Sequence, residues 1–443
     1  MSKRVAILGG GVAGMSAAHE LVERGFEVTV FDKHRVAGGK ARSFGVPRSG
    51  TEGRRDLPCE HGFRFFPGFY RHLPDTMKRI PFAGRPNGVF ENLVQISRLQ
   101  LATTTLPPVT LPIRFPMWPS DFYAAVKGAA GVASLGIPLN DLAYFANRVA
   151  VLASSSDERM EKQWENVGWW DFVGAQGRSK EFQVFLASGA TRSLVACRAE
   201  DISVRTGGSI MLQLLADWTS PGIRNDRVLA GATNEVWIQP WLDYLRKRGV
   251  IYLHRHEVQK IHCDGRRITG VTMRELDPNH PWELSGRHPY RVTADYYIAA
   301  LPVEVMRTLV TYEMGKAEPA FWRLPELYTA WMNGIQFYLK VDVPITQGHL
   351  LYGDTPWALT SISPQQFWRN RIMQNYGNGE VGGILSVDVS NWDAPGIYAA
   401  KGKPARECSR TEMAEEVWDQ LKACLNRRGA TVLEDSNRFL WHL

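Results

Sequence analysis

The feature that most constrains this chain lies between residues 5 and 32. A short apolar run, Val5 to Leu8, leads into Gly9-Gly10-Gly11-Val12-Ala13-Gly14, a G-x-G-x-x-G pattern. Residues 12–24 then carry helical spacing, with Met15, Ala18 and Val22 on one face and Gly25 placed to end the helix. Val28 to Phe31 is a second apolar run, closed by Asp32. Strand, glycine turn, helix, strand within about 30 residues is a βαβ unit. The glycines serve different ends. Gly9 makes the turn, Gly11 lets a pyrophosphate approach the backbone, and Gly14 lets helix and strand pack closely. Val12 and Ala13 open the helix, whose free N–H groups and dipole favour an anion. Asp32 stands 18 residues after Gly14, where a carboxylate accepts hydrogen bonds from ribose hydroxyls and repels a 2′-phosphate. The unit predicts a dinucleotide-binding fold and argues against NADP.

Six residues after Asp32 comes Gly38-Gly39-Lys40-Ala41-Arg42-Ser43. Two glycines allow close backbone approach, and Lys40 and Arg42 add positive charge near a diphosphate. With the acid at this spacing, the chain resembles the flavin amine oxidase and phytoene desaturase superfamily, whose members carry such a Gly-Gly loop over the FAD pyrophosphate. The resemblance implies FAD as cofactor, held by Gly9, Gly11, Val12, Ala13, Gly14, Asp32, Gly38, Gly39, Lys40 and Arg42. It also assigns His34 to the adenosine side, where many members have arginine. Val258 matches the strand residue whose backbone holds the adenine.

The segment Cys59-Glu60-His61-Gly62-Phe63-Arg64-Phe65-Phe66-Pro67-Gly68-Phe69-Tyr70 is the most unusual in the chain. It resembles the plant-type carotene desaturases, which share a branch with the hydroxysqualene dehydroxylases. In that family the stretch runs along the flavin ring, which implies that Gly62 and Phe63 contact the cofactor. The family's histidine two residues past the glycine is replaced by Arg64, and His61 precedes the glycine instead. By position, His61 and Arg64 are the candidate catalytic residues. Cys59 and His61 alone make no metal site, because two ligands without further partners are too few.

The resemblance implies an oxidoreductase that removes hydride from a hydrophobic, isoprenoid substrate. Two other readings stay open: a flavin amine oxidase acting on a small amine, and a flavin-fold subunit without catalysis. The superfamily closes with a second FAD segment, and nothing after residue 390 matches it. This implies completion by further residues or by a second chain.

Beyond residue 45 the organisation is coarser. Residues 121–152 read as helix, broken near Gly136 to Pro138, and helical texture continues to about 220. Strand texture returns at 249–261, 268–273 and 296–301, as though the chain re-enters the nucleotide domain. Residues 330–340 and 381–389 read as strands of a second sheet, and Ser409 with Glu412 forms a capping box before a helix at about 411–427. The expected fold is α/β: a Rossmann-type FAD-binding domain (1–75 and 225–310) intertwined with a mixed-sheet and helical substrate domain (76–224 and 311–443).

The net charge of +7 is spread without a basic block, which argues against a nucleic-acid partner. Five scattered cysteines and an N-terminus without signal-peptide architecture fit a reducing, cytoplasmic setting. With 15 Trp, 19 Phe and 14 Tyr, the chain needs a large apolar interior or a greasy cavity. Leu111 to Trp118, with Arg114 and Lys127 nearby, fits a peripheral membrane contact.

Overall fold

The computed structural model describes residues 2–113, 119–189, 191–192, 196–219, 226–277, 288–369, 373–427 and 429–443. Most of the expected membrane-contact segment, residues 114–118, lies outside them. Among the described residues no helix is long and apolar enough to cross a membrane. The chain forms two compact units.

The first unit comprises Met1–Phe44, His72–Asn92 and Ala232–Ala330. Its centre is β1 (Arg4–Leu8), α1 (Val12–Glu23) and β2 (Glu27–Asp32). A four-stranded parallel sheet runs in the order Tyr296–Ala299, β1, β2, Ile251–His254. Ala6, Ile7 and Leu8 are buried, as a strand covered on both faces requires. Beside α1, the Trp241 indole donates to His19 Nδ1 at 3.0 Å. Burial holds that imidazole below its usual basicity, and its neutral form is the acceptor. An antiparallel sheet of His256–Cys263, Ile268–Glu275 and Tyr290–Val292 follows. Its apolar face, with Ile261, Val271 and Met273, packs in one core with Phe31 and Leu8.

The second unit comprises Gly45–Arg71, Leu93–Gly231 and Trp331–Leu443. A seven-stranded sheet runs in the order Arg438–His442, Asn333–Leu339, Gly383–Val389, Leu359–Ile362, Gly348–Tyr352, Arg98–Ala102, Val109–Pro112. All neighbours are antiparallel except Gly348–Tyr352 beside Arg98–Ala102, so the sheet is mixed. The helix Arg410–Leu425 opens on the expected capping box of Ser409 and Glu412. It packs Val417, Trp418 and Leu421 against Phe337, Leu350, Leu385 and Val387. A separate helical layer closes around Trp169 and Phe172, between Leu152 and Val204. Trp169, Trp241, Trp357 and Trp418 are fully buried, so much of the aromatic content is core.

The expected division differs from these units at four places. Residues 45–71 join the second unit, because Arg55 bridges to Tyr376, Phe66 bridges to Arg227, and Tyr338 Oη donates to Pro58 O at 3.0 Å. Residues 226–231 join it too, since Arg227–Leu229 pairs with Leu93–Gln95. Conversely, residues 76–92 belong to the first unit, where Arg79 pairs with Glu20 and Glu23 of α1. Residues 311–330 also go there, with Met314 in the core beside Leu309.

Candidate functional site

The glycine turn is built from backbone hydrogen bonds. Gly9 N–H donates to Phe31 O and Ala300 N–H donates to Leu8 O, each at 2.8 Å, tying the turn to both neighbouring strands. Gly9 has φ +103°, and a Cβ there would lie 2.4 Å from Ala300 O. A Cβ on Gly14 would lie 1.9 Å from Gly9 O, so helix and turn touch backbone to backbone. The α1 N-cap is Gly11, which offers no side-chain cap, and the first turn holds no acid. Its first N–H groups therefore lack a side-chain acceptor, as an anion-binding helix terminus requires.

Asp32 is 6% exposed and ends β2 beneath this turn. Its Oδ2 accepts from Gly10 N–H and its Oδ1 from His34 N–H, both at 2.7 Å. Each oxygen keeps a further lone pair, so the carboxylate is oriented by the backbone and still able to accept ribose hydroxyls. His34 contributes its backbone; burial, with Arg42 next in effect, lowers the basicity of its ring.

The Gly38–Gly39 loop sits against the first turn. Gly38 N–H donates to Gly10 O at 3.3 Å, and a Cβ on Gly39 would lie 2.9 Å from Gly11 Cα. Arg42 Nη1 donates to Gly39 O at 2.7 Å. Lys40 Nζ meets Glu304 Oε1 at 3.0 Å on an exposed surface. Val258 pairs with Met273 and packs in the core containing Phe31, one residue before Asp32.

Two residues that shape this cradle were not among the sequence candidates. Tyr252 Oη donates to Gly10 O at 2.7 Å, and a Cβ on Gly10 would fall 1.9 Å from that hydroxyl. A glycine at the position between Gly9 and Gly11 is thus required by a tyrosine on the strand beyond β2. Asn234 holds the second loop: its Oδ1 accepts from Ser43 N–H at 2.6 Å and its Nδ2 donates to Ala37 O at 3.3 Å. Isolated polar residues far along the chain gave no signal of either role.

His61, Gly62, Phe63 and Arg64 lie in the second unit. Their backbone crosses its sheet where Gly334 stands opposite Asp388, and a Cβ on Gly334 would lie 2.9 Å from Gly62 Cα. This brings Gly62 beside Asp388, whose Oδ1 would be 3.2 Å from a Cβ there. Burial lifts the Asp388 carboxyl to about 7, against the stabilising Arg64 charge and the Phe63 N–H, with Glu60 adding to the rise. Asp388 was not a sequence candidate either.

Asp388 lines a cavity of about 250 Å³ that lies within this unit. Its walls include Phe63, Phe65, Ile96, Leu99, Ile113 and Leu351. Strand alternation explains its composition. Leu385, Val387, Leu350 and Tyr352 point to the helix-covered face, while Asp388, His349 and Leu351 between them line the cavity on the other.

The cradle defines an α/β protein with a Rossmann-type dinucleotide-binding domain, in which an uncapped helix terminus lies beside a carboxylate oriented by the backbone. Residues 7–80 match the family described as the NAD(P)-binding Rossmann-like domain. The chain is similar to zeta-carotene desaturase of Synechocystis sp., 27% identical over 84% of this chain and 69% of that protein. It is also similar to a probable zeta-carotene desaturase of Synechococcus elongatus, 25% identical over 79% of this chain and 66% of that one, just under two thirds of its length. An oxidoreductase structure from Methanosarcina mazei shares the fold, with TM-score 0.60 and 13% identity, covering 99% of this chain and 87% of that one. These relatives and the matched Rossmann-like domain support the flavin amine oxidase and phytoene desaturase superfamily of FAD-dependent oxidoreductases as the group this chain resembles.

Proposed function

We propose that this chain binds FAD and oxidises a hydrophobic isoprenoid substrate, of the carotenoid or squalene kind, by removing hydride. The observation that carries the reading is the presence in one chain of the two-loop glycine cradle and an apolar cavity of about 250 Å³. Relatives named zeta-carotene desaturase support the substrate class. In this reading the first N–H groups of α1 bind the diphosphate, Asp32 orients the ribose, and Arg42 holds the second loop through Gly39 O. The flavin, when bound, supplies the hydride acceptor. The cavity walls bind the hydrocarbon and exclude water, which suits chemistry that asks the protein for positioning more than for proton transfer.

The proposal extends to His61 and Arg64, which the family resemblance assigns to the flavin ring. Arg64→Gln is then expected to lower turnover while flavin content stays unchanged. An insoluble substrate delivered from a lipid surface, and a second chain completing the FAD site, belong to the same reading. The test is anaerobic mixing of the flavin-loaded protein with a carotene. Bleaching of the oxidised-flavin bands with formation of a further double bond is expected. Bleaching by an amine and not by a carotene would overturn the substrate class.

A further inference from the structure

The edge of the parallel sheet that carries the glycine turn holds one polar side chain that the cradle does not use. The strand Ile251–His254 lies beyond β2, and its register sets His254 level with Asp32. Tyr252 and His254 are two residues apart and share one face of that strand, with ring centroids 4.7 Å apart. Tyr252 is the residue whose hydroxyl donates to Gly10 O at 2.7 Å, so His254 sits one pleat nearer the carboxyl end on the face that supports the turn. Its Nδ1 lies 3.2 Å from His34 O. A carbonyl oxygen only accepts, so Nδ1 carries the proton and Nε2 keeps a bare lone pair when the ring is neutral. Burial lowers the basicity of the ring, Arg246 and Arg255 act the same way, and the His34 carbonyl and Asp32 oppose them. The ring is therefore uncharged near neutrality. Among the described residues Nε2 makes no hydrogen bond.

The order of the strands decides which part of a dinucleotide reaches this nitrogen. Neighbouring strands stand about 4.8 Å apart, and ligands of open α/β sheets lie outside the carboxyl ends of the strands. In the proposed site the turn after β1 takes the diphosphate, and Asp32 at the end of β2 takes the ribose. The next strand in the same direction is the one that ends in His254, so the next part of the ligand, the base, falls to it. We propose that His254 recognises the adenine of the bound dinucleotide, its Nε2 accepting a hydrogen bond from the exocyclic amine. The amine is the group of adenine that donates, whereas its ring nitrogens accept and would meet the imidazole lone pair with their own. A base with a carbonyl in place of the amine, such as hypoxanthine, would set acceptor against acceptor. His254 is thus a specificity residue, additional to the backbone of Val258 that the resemblance assigns to the base. The inference rests on the reading of the cradle as an FAD site, and it adds which side chain selects the base.

The test compares FAD with its deaminated analogue, flavin hypoxanthine dinucleotide, by fluorescence titration of the flavin-free full chain. The two ligands differ at the base alone, where a carbonyl replaces the amine. FAD is expected to bind about tenfold more tightly, the factor for one lost hydrogen bond with an acceptor left facing an acceptor. His254→Phe keeps a ring against Tyr252 and removes the acceptor, and it should bring the two affinities together. A general loosening of the site would weaken both ligands alike, so the ratio reports the amine contact. Equal affinities in the unsubstituted protein would overturn the inference and leave the FAD reading intact. Failure of both flavins to bind would overturn the FAD reading and the inference with it. The comparison on the unsubstituted protein does not depend on the variant folding. A folded variant that keeps the preference for FAD would show that another group reads the amine, and the assignment to His254 would fail.

Discussion

The Asp388 carboxyl makes stability depend on pH in a direction that can be worked out. Its folded value, raised by burial to about 7, stands against an ordinary value of 3.8. A carboxyl whose pKa rises on folding binds its proton more tightly in the native state. Its contribution to stability is therefore fully present below the unfolded pKa, and is lost as pH climbs through the folded one. At pH 5 the unfolded chain is ionised at this position and the native chain is protonated. That pH is two units below the folded value, and each unit is worth about 1.4 kcal/mol, so the native state gains about 3 kcal/mol there relative to pH 8. At pH 8 both states are ionised and almost nothing of the gain remains. Asp388→Asn keeps the shape and removes the titration. Urea unfolding at pH 5 and pH 8 should show the unsubstituted protein losing about 3 kcal/mol more than the variant across this interval. The variant should be the more stable of the two at pH 8. An identical pH dependence in both proteins would refute the argument that Asp388 is held protonated in a closed apolar setting.

Two further outcomes concern the cradle. Asp32→Asn removes the charge from an acceptor that meets two backbone N–H groups, and a hydrogen bond to a charged group contributes about 1.5–3 kcal/mol. Flavin binding, followed by fluorescence quenching, should weaken roughly tenfold to a hundredfold. Gly14→Ala places a Cβ 1.9 Å from Gly9 O, where only backbone movement can relieve the clash. The variant should lose at least about 2 kcal/mol of stability in denaturant melts and purify without cofactor; retention of full flavin content would show that the helix and turn are less closely packed than described.

How much of this was legible in the sequence depends on how local each device is. The βαβ unit and its acid were legible because Gly9, Gly14 and Asp32 act within one 30-residue stretch, and each residue type has few other uses there. The capping box at Ser409 and Glu412 is equally local. Strands 333–339 and 383–389 could be read from their alternation, but not their neighbours. No residue announces that Gly348–Tyr352 lies parallel to Arg98–Ala102, since register is settled by packing across the sheet. The same limit hid the cavity floor. His349 and Asp388 each look like a polar residue alternating in a strand, and only the order of strands puts them on one face. Tyr252 was invisible for a related reason: its hydroxyl matters because the strand beyond β2 carries it under Gly10. The division at residues 45–71 was missed because the long-range bridges of Arg55 and Phe66 outweigh chain proximity to the nucleotide-binding unit.

The central claim is that the cradle of Gly9 to Gly14, Asp32 and Gly38–Gly39 holds FAD. The measurement that tests it most directly is a competition on the purified full chain, with FAD and NAD titrated in turn and flavin binding read by absorption and fluorescence. The account predicts that FAD binds at one site per chain, that NAD does not displace it, and that Asp32→Asn weakens it. Tight binding of NAD with no affinity for FAD would contradict it.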